Sequence, residues 1–227
     1  MLPIRKDLKN KDKQMNLTIN EIFYSIQGES LYAGLPCVFI RLTGCNLRCT
    51  YCDTRYAYDE GQVLSADDIM GRLMPYAFRL VEITGGEPLC QPGTPDLITR
   101  LLTEGYTVLM ETNGSKDIGL VDPRCIKILD IKCPGSGESE KNDLENLNRL
   151  SPDDQVKFVI TDRADYEYAK NLILDTWTPP FPVPILFSAA APAQAPAVLA
   201  EWILADALTV RLQIQLHKIL WPNQDGR

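Results

Sequence analysis

The chain has 227 residues, 45% of them hydrophobic, which is enough apolar side chain for one domain-sized core. Its net charge is −7, but the first fourteen residues hold five Lys or Arg against two Asp. The rest therefore carries 18 basic and 28 acidic groups, a net of −10, and an acidic body argues against nucleic acid as the main partner.

Residues 1–14 read as a disordered extension ahead of Met15, and 15–227 as a single domain. The polar start lacks the apolar run of a signal peptide, and no stretch approaches the roughly 18 apolar residues of a membrane span, so the expected setting is the cytoplasm with no membrane partner. Beyond the start, apolar β-branched runs alternate with helical segments, as in βα units around a parallel sheet. Strands are expected over 38–42, 80–84, 106–112, 126–131, 156–160 and 183–187. Ser65-Ala66-Asp67-Asp68 caps a helix that Pro75 ends. Thr94-Pro95 opens a second that runs to Glu104 with Gly105 as its stop, 163–174 forms a third, and 144–150 a shorter one. The six prolines of 178–196 mark that stretch as loop around one strand. The fold class is α/β with a parallel sheet: an incomplete (β/α)6 partial barrel or, with the same periodicity, a doubly wound open sheet.

The most specific local signal follows the first of these strands. Cys45-Asn46-Leu47-Arg48-Cys49-Thr50-Tyr51-Cys52 places three thiols in one short loop. Thiolate is the soft, anionic ligand that cluster iron needs, and a loop of this length can wrap three corners of a cubane and leave the fourth open. Structural zinc wants four protein ligands, but Cys37, Cys90, Cys125 and Cys133 are scattered singly and His217 is the only histidine. An odd count of 7 Cys without a signal peptide argues against a disulfide framework. Further on, Val81-Glu82-Ile83-Thr84-Gly85-Gly86-Glu87-Pro88 runs an apolar strand into two glycines that let backbone approach a ligand, a carboxylate that can accept from an ammonium group, and a stiffened exit.

Together the three-Cys loop and Gly-Gly-Glu-Pro resemble the radical S-adenosylmethionine (SAM) superfamily. Within it, Gln27-Gly28-Glu29-Ser30, Cys52-Asp53-Thr54 and the tail Gln213-Ile214-Gln215-Leu216-His217-Lys218 resemble the 7-carboxy-7-deazaguanine synthases. Ser30 stands where that family more often has glycine, a change expected to cost little if the backbone is extended there.

The resemblance implies one 4Fe-4S cluster on Cys45, Cys49 and Cys52, with SAM chelating the open iron. SAM contacts are implied for Tyr51, Cys52, Asp53, Gly86, Glu87, Glu111, Asn113, Asp130, Ile131 and Lys132. In the last three only Lys132 matches the family's frequent Ser-Pro-Lys, and Asn113 reads equally well as the turn residue before Gly114. The implied substrate is the small-molecule pterin 6-carboxy-5,6,7,8-tetrahydropterin, which loses a hydrogen at C6 and contracts to 7-carboxy-7-deazaguanine with release of ammonia. No catalytic group beyond the cluster and SAM is implied. Ile26, Gln27, Gly28, Glu29, Arg41, Thr84 and His217 form the substrate side. Glu29 would accept from the aminopyrimidinone N–H donors, Gln27 would complement them by amide nitrogen or oxygen, and Arg41 would clamp the carboxylate. The family also implies Mg2+ on Thr54, a reductant such as flavodoxin or ferredoxin, and a homodimer.

Two other classes compete. A glycyl-radical-enzyme activase shares the loop and barrel but needs a surface for a large protein substrate, and has no need of Gln27, Glu29 or His217. A non-catalytic iron-sulfur electron carrier closes all four cluster positions with protein ligands.

Overall fold

The computed structural model describes residues 16–222, so the extension expected over 1–14 lies outside the described residues. Nine strands form one sheet: β1 (Asn16–Ile26), β2 (Pro36–Leu42), β3 (Gln62–Ser65), β4 (Leu80–Gly85), β5 (Thr107–Thr112), β6 (Ile126–Ile131), β7 (Gln155–Ile160), β8 (Ile185–Ala189) and β9 (Arg211–Gln213). Their order is β3-β1-β2-β4-β5-β6-β7-β8-β9. From β2 onward every neighbour is parallel, while β1 runs antiparallel to both β2 and β3. The six expected strands are the parallel strands β2 and β4 to β8, and β9 adds a seventh. The sequence reading lacked β1, β3 and β9, which are an antiparallel edge pair and a three-residue strand.

The α-helices among the described residues are α1 (Ala66–Leu73), α2 (Thr94–Thr103), α3 (Arg163–Thr176), α4 (Pro196–Ala205) and α5 (Leu216–Leu220). Ser65 and Asp68 close a reciprocal capping box on α1, as their spacing predicts. The helix expected over 144–150 is a 3₁₀ segment, Leu144–Arg149, whose Asn146 is fully buried and donates to the Gly114 and Lys116 carbonyls. The proline-rich stretch read as loop gives way at Pro196 to α4, with Pro at the first turn where its missing N–H costs nothing.

Side-chain alternation explains how one sheet serves two purposes. On the outer face Val38, Ile40, Leu42, Val81, Ile83, Val108 and Met110 pack against α1 and α2. Leu129, Ile131, Val156, Phe158 and Ile160 pack against α3 and α4 in a second cluster. The alternate positions Phe39, Arg41, Glu82, Thr84, Glu111, Asp130 and Lys157 line a cavity on the inner face.

The segment after β1 reaches across this cavity to the far edge of the sheet. Ser30 N–H donates to Gln213 (2.7 Å), Leu31 N–H donates to Gln155 (2.9 Å), and Leu216 N–H donates to the Gly28 carbonyl (3.0 Å). The sheet is thus curved enough for its ends to meet through one loop, yet β3 and β9 stay unpaired with each other. That is the geometry of an incomplete barrel. No helix among the described residues is long and apolar enough to cross a membrane.

Candidate active site

The cavity, about 500 Å³, opens at the carboxyl ends of the parallel strands. The loop that follows β2 carries the three thiols, and neighbouring loops hold it by backbone bonds. Thr50 N–H donates to the Ser136 carbonyl (3.0 Å) and its hydroxyl to that of Gly135 (2.8 Å), while Arg48 N–H donates to Glu138 (2.7 Å). Leu47 N–H lies 3.4 Å from Cys45 Sγ and the Asn113 amide nitrogen 3.8 Å, two donors that favour thiolate there. Burial pushes the Cys45 and Cys49 thiols up. All seven cysteines are free.

The Gly-Gly-Glu-Pro turn packs directly on this loop. A Cβ on Gly86 would stand 2.0 Å from the Gly44 carbonyl oxygen, and Glu87 N–H donates to that same carbonyl (2.8 Å). Glycine at 86 therefore serves the chain's own backbone contact as well as lining the cavity. The Glu87 side chain turns away from the ligand-facing position expected of it. It is fully buried, it does not line the cavity, and its carboxylate accepts from Leu89 N–H, the Thr112 hydroxyl and Asn113 N–H. It splints the turn to the end of β5 rather than facing a ligand. The Ile131 side chain does not face the cavity either, since alternation turns it into the apolar cluster between the inward Asp130 and Lys132.

The other expected residues meet in one place. Ile26, Gln27, Gly28, Glu29, Arg41, Thr84 and His217 line the cavity together with Tyr51, Asp53, Thr54, Gly86, Glu111, Asn113, Asp130, Lys132 and the three loop cysteines. His217 sits over Gly28, where a Cβ would stand 2.3 Å from His217 Nδ1, so the tail closes down only because residue 28 has none. Burial holds the imidazole below its ordinary value against the pull of Glu29. Lys218 ties the same short helix to Asp53 (3.0 Å). Arg41 is held by Glu21 (2.7 Å) and lies over the Phe23 and Tyr56 rings.

At the centre stands Lys157, which sequence reasoning missed. Its ammonium donates to Glu29 (2.6 Å) and Glu111 (2.5 Å) and lies 3.7 Å from Asp130, which also pairs with Lys132 (3.0 Å). Burial alone would raise the Glu29 carboxyl, but Lys157, with hydrogen bonds from it and from Gln215, holds it well below the usual carboxylate range. Gln213 donates to Glu29 as well (3.1 Å). A signal for Lys157 existed: it is the one charge in the apolar run Val156-Lys157-Phe158-Val159-Ile160, and a lone charge in a central strand is costly unless paired. Glu82 in β4 carries the same signal.

Among the described residues no three Cys, His, Asp or Glu side chains converge as a single-ion site, whereas a cubane spreads its ligands more widely. Two buried polar atoms of the cavity, Asp130 Oδ1 and the Tyr51 hydroxyl, have no hydrogen-bond partner among the described residues. Buried polar groups left without partners on a cavity wall fit a polar ligand such as SAM.

A curved parallel sheet with a three-thiol loop after its first parallel strand defines an iron-sulfur enzyme of the radical SAM class, and residues 39–130 match the family model described as the Radical SAM superfamily. The chain is 43% identical over 225 residues to the 7-carboxy-7-deazaguanine synthase of Koribacter versatilis, covering 92% of this chain and all of that protein. It is 44% identical over 214 residues to the protein of the same name from Chlorobaculum tepidum, with 93% and 96% covered. The crystal structure of QueE from Escherichia coli superposes with a TM-score of 0.73 at 25% identity, covering 88% of this chain and 94% of that one. The chain belongs to the 7-carboxy-7-deazaguanine synthase family. As a radical SAM protein it is expected to carry a 4Fe-4S cluster and SAM.

Proposed function

We propose that the chain contracts 6-carboxy-5,6,7,8-tetrahydropterin to 7-carboxy-7-deazaguanine and ammonia; the product is the one in its relatives' name, and the substrate is the one the sequence resemblance implies. The observation that carries the reading is the convergence of Gln27, Glu29, Arg41 and His217, from both ends of the chain, on the same cavity as the three-thiol loop. In this reading Cys45, Cys49 and Cys52 hold the cluster. Tyr51, Asp130, Lys132 and Asn113 face SAM, whose buried hydroxyl and amino donors would satisfy the Asp130 oxygen. When bound, cluster and SAM supply an organic radical that takes one hydrogen from the substrate.

The protein's part is placement and exclusion of water. The anionic Glu29, with Glu111 beside it on Lys157, faces the donor-rich aminopyrimidinone edge, Arg41 pairs with the substrate carboxylate, and His217 closes over the ring from the tail. Thr54 would give one oxygen to Mg2+, with the rest of the shell coming from substrate and water. Its hydroxyl makes no helix-cap bond and lies 3.7 Å from Cys52 Sγ. A single cytoplasmic domain over 15–227, paired with a second copy and reduced by a flavodoxin or ferredoxin, completes the proposal.

Anaerobic reconstitution tests it. Protein with iron, sulfide, SAM, Mg2+ and a reductant should turn the tetrahydropterin into the deazaguanine acid with matching ammonia, and Cys49→Ala should lose both the cluster's visible absorbance and all product. SAM cleavage without any pterin turnover would refute the substrate assignment. Intact SAM would favour an electron carrier.

A further inference from the structure

Four carboxylates and two ammonium groups line the cavity floor, and the pairing among them is uneven. Lys157 serves Glu29, Glu111 and Asp130, and Lys132 serves Asp130. Glu82, on β4 and 3% exposed, has no cation within ion-pair distance among the described residues. Its polar contact is with the Gln27 side-chain amide, whose Nε2 donates to Glu82 Oε2.

The direction of that bond follows from a neighbour. Glu29 N–H lies 3.0 Å from the other end of the Gln27 amide. A backbone N–H can only donate, so the atom facing it must be the amide oxygen. The amide nitrogen therefore faces Glu82, and Glu82 accepts. Gln27 is left with one uncommitted N–H.

We propose that Glu82 is a positioning residue of this cavity: it locks the Gln27 amide so that the substrate's heterocycle meets an N–H donor there and never the amide carbonyl. The inference rests on the pterin reading above and narrows it, because it calls for an acceptor, a ring carbonyl or unprotonated ring nitrogen, at that edge of the ligand. It also settles what the sequence leaves open for Gln27, nitrogen or oxygen.

The surroundings decide the charge Glu82 carries in this role. Facing it are Glu29 from the loop after β1, Cys37 from β2, Glu111 from β5 and Lys157 from β7, and Arg41, Asp130 and Lys132 line the same cavity. Burial, then the like charges of Glu111 and Glu29, push its carboxyl well above the ordinary range, with Lys157 already claimed by two closer carboxylates. With its proton on, Glu82 would still accept from Gln27 with one oxygen and would hold the proton on the other. The Gln27–Glu82 pair then offers the cavity two donors side by side.

Two readouts on the reconstituted holoenzyme with SAM test this. The infrared difference spectrum of wild type minus Glu82→Gln at neutral pH should contain the carbonyl band of a protonated carboxyl, which a charged structural Glu82 would not give. Equilibrium binding of 6-carboxytetrahydropterin should stay within about threefold of wild type in Glu82→Gln, which keeps an acceptor and a donor. It should weaken about tenfold or more in Glu82→Leu, which removes the acceptor for the amide nitrogen and leaves Glu29 N–H as the remaining anchor of the Gln27 amide. The band reports the charge that Glu82 carries in that role, whereas a Glu82→Leu variant that folds and binds the pterin acid as tightly as wild type overturns the proposal. So does a Glu82→Gln variant, with its cluster absorbance intact, that loses tenfold in affinity. If Glu82→Leu does not fold, the affinity of the Gln variant still decides. A wild type that binds SAM but no pterin acid overturns the substrate reading itself, whereas a wild type that binds while the variants break the pattern overturns the role of Glu82 alone.

Discussion

The two walls of the cavity are built from different materials. The cluster-loop wall is backbone, with Gly44, Gly86, Thr50, Gly135 and Ser136 in direct main-chain contact and Glu87 spent on holding the turn. The opposite wall is charge, where Lys157 gathers carboxylates from β5, β6 and the loop after β1. The first kind of wall is sensitive to volume and tolerant of charge elsewhere. The second is sensitive to the loss of one partner, because what remains is buried and unpaired.

Lys157→Met should draw that contrast most sharply. Removing the ammonium leaves Glu29 and Glu111 facing each other without a cation, and denaturant unfolding of the variant should show a loss of about 3–5 kcal/mol. A loss under about 1 kcal/mol would mean that the charged wall is not held by its pairs. Glu29 tests the same wall through pH. Its carboxyl is held down to about 2 from 4.5, so the folded state binds the proton less readily than the unfolded chain. The stability it confers is therefore present above the unfolded value and drains away as pH falls toward the folded one. Glu29→Gln should flatten the acid limb of a stability-versus-pH curve in that window, and an unchanged limb would remove Glu29 from the pairing.

On the backbone wall, Gly86→Ala forces a methyl against the Gly44 carbonyl, and thermal unfolding should register about 1–3 kcal/mol of destabilisation. Lys132→Met, by comparison, should leave this packing unaffected. The smallest effect is expected at Ser30. Its φ is +63°, in the left-handed region and not the extended conformation in which serine would cost little, so the glycine of the family has a conformational reason. Ser30→Gly should gain roughly 1 kcal/mol, less whatever the bond from Tyr32 N–H to the Ser30 hydroxyl contributes. A destabilised glycine variant would mean that this bond outweighs the strain.

Legibility in the sequence follows the same division. The cluster loop and the Gly-Gly-Glu-Pro turn are contiguous runs whose spacing carries their chemistry, and the parallel strands behind them announce themselves by apolar runs. The charged wall is assembled from Glu29, Glu82, Glu111, Asp130 and Lys157, each alone on its own element. Spacing cannot reveal that they share one floor, and the only local trace is a single charge inside an apolar strand. Glu87 misled for the opposite reason: a carboxylate in the right motif was consumed by three donors, two of them from β5 and the residue after it. Strands β3 and β9 are short, largely exposed edge strands whose pairing is decided by neighbours, and the long β1 beside β3 mixes polar and apolar residues without a continuous apolar run. His217 was reached only through the tail motif, and its place over Gly28 shows why the two distant segments need each other.

The central claim is that three thiols hold a cluster with one iron left for SAM beside a carboxylate-rich cavity. The most direct measurement is electron-nuclear double resonance on the reduced, anaerobically reconstituted protein, using SAM labelled with nitrogen-15 in the amino group and oxygen-17 in the carboxylate. The account predicts hyperfine coupling from both labels to one unique iron, unchanged in Glu29→Gln. A reduced cluster that shows no coupling to either label, or a spectrum whose four irons are all held by protein, would contradict it.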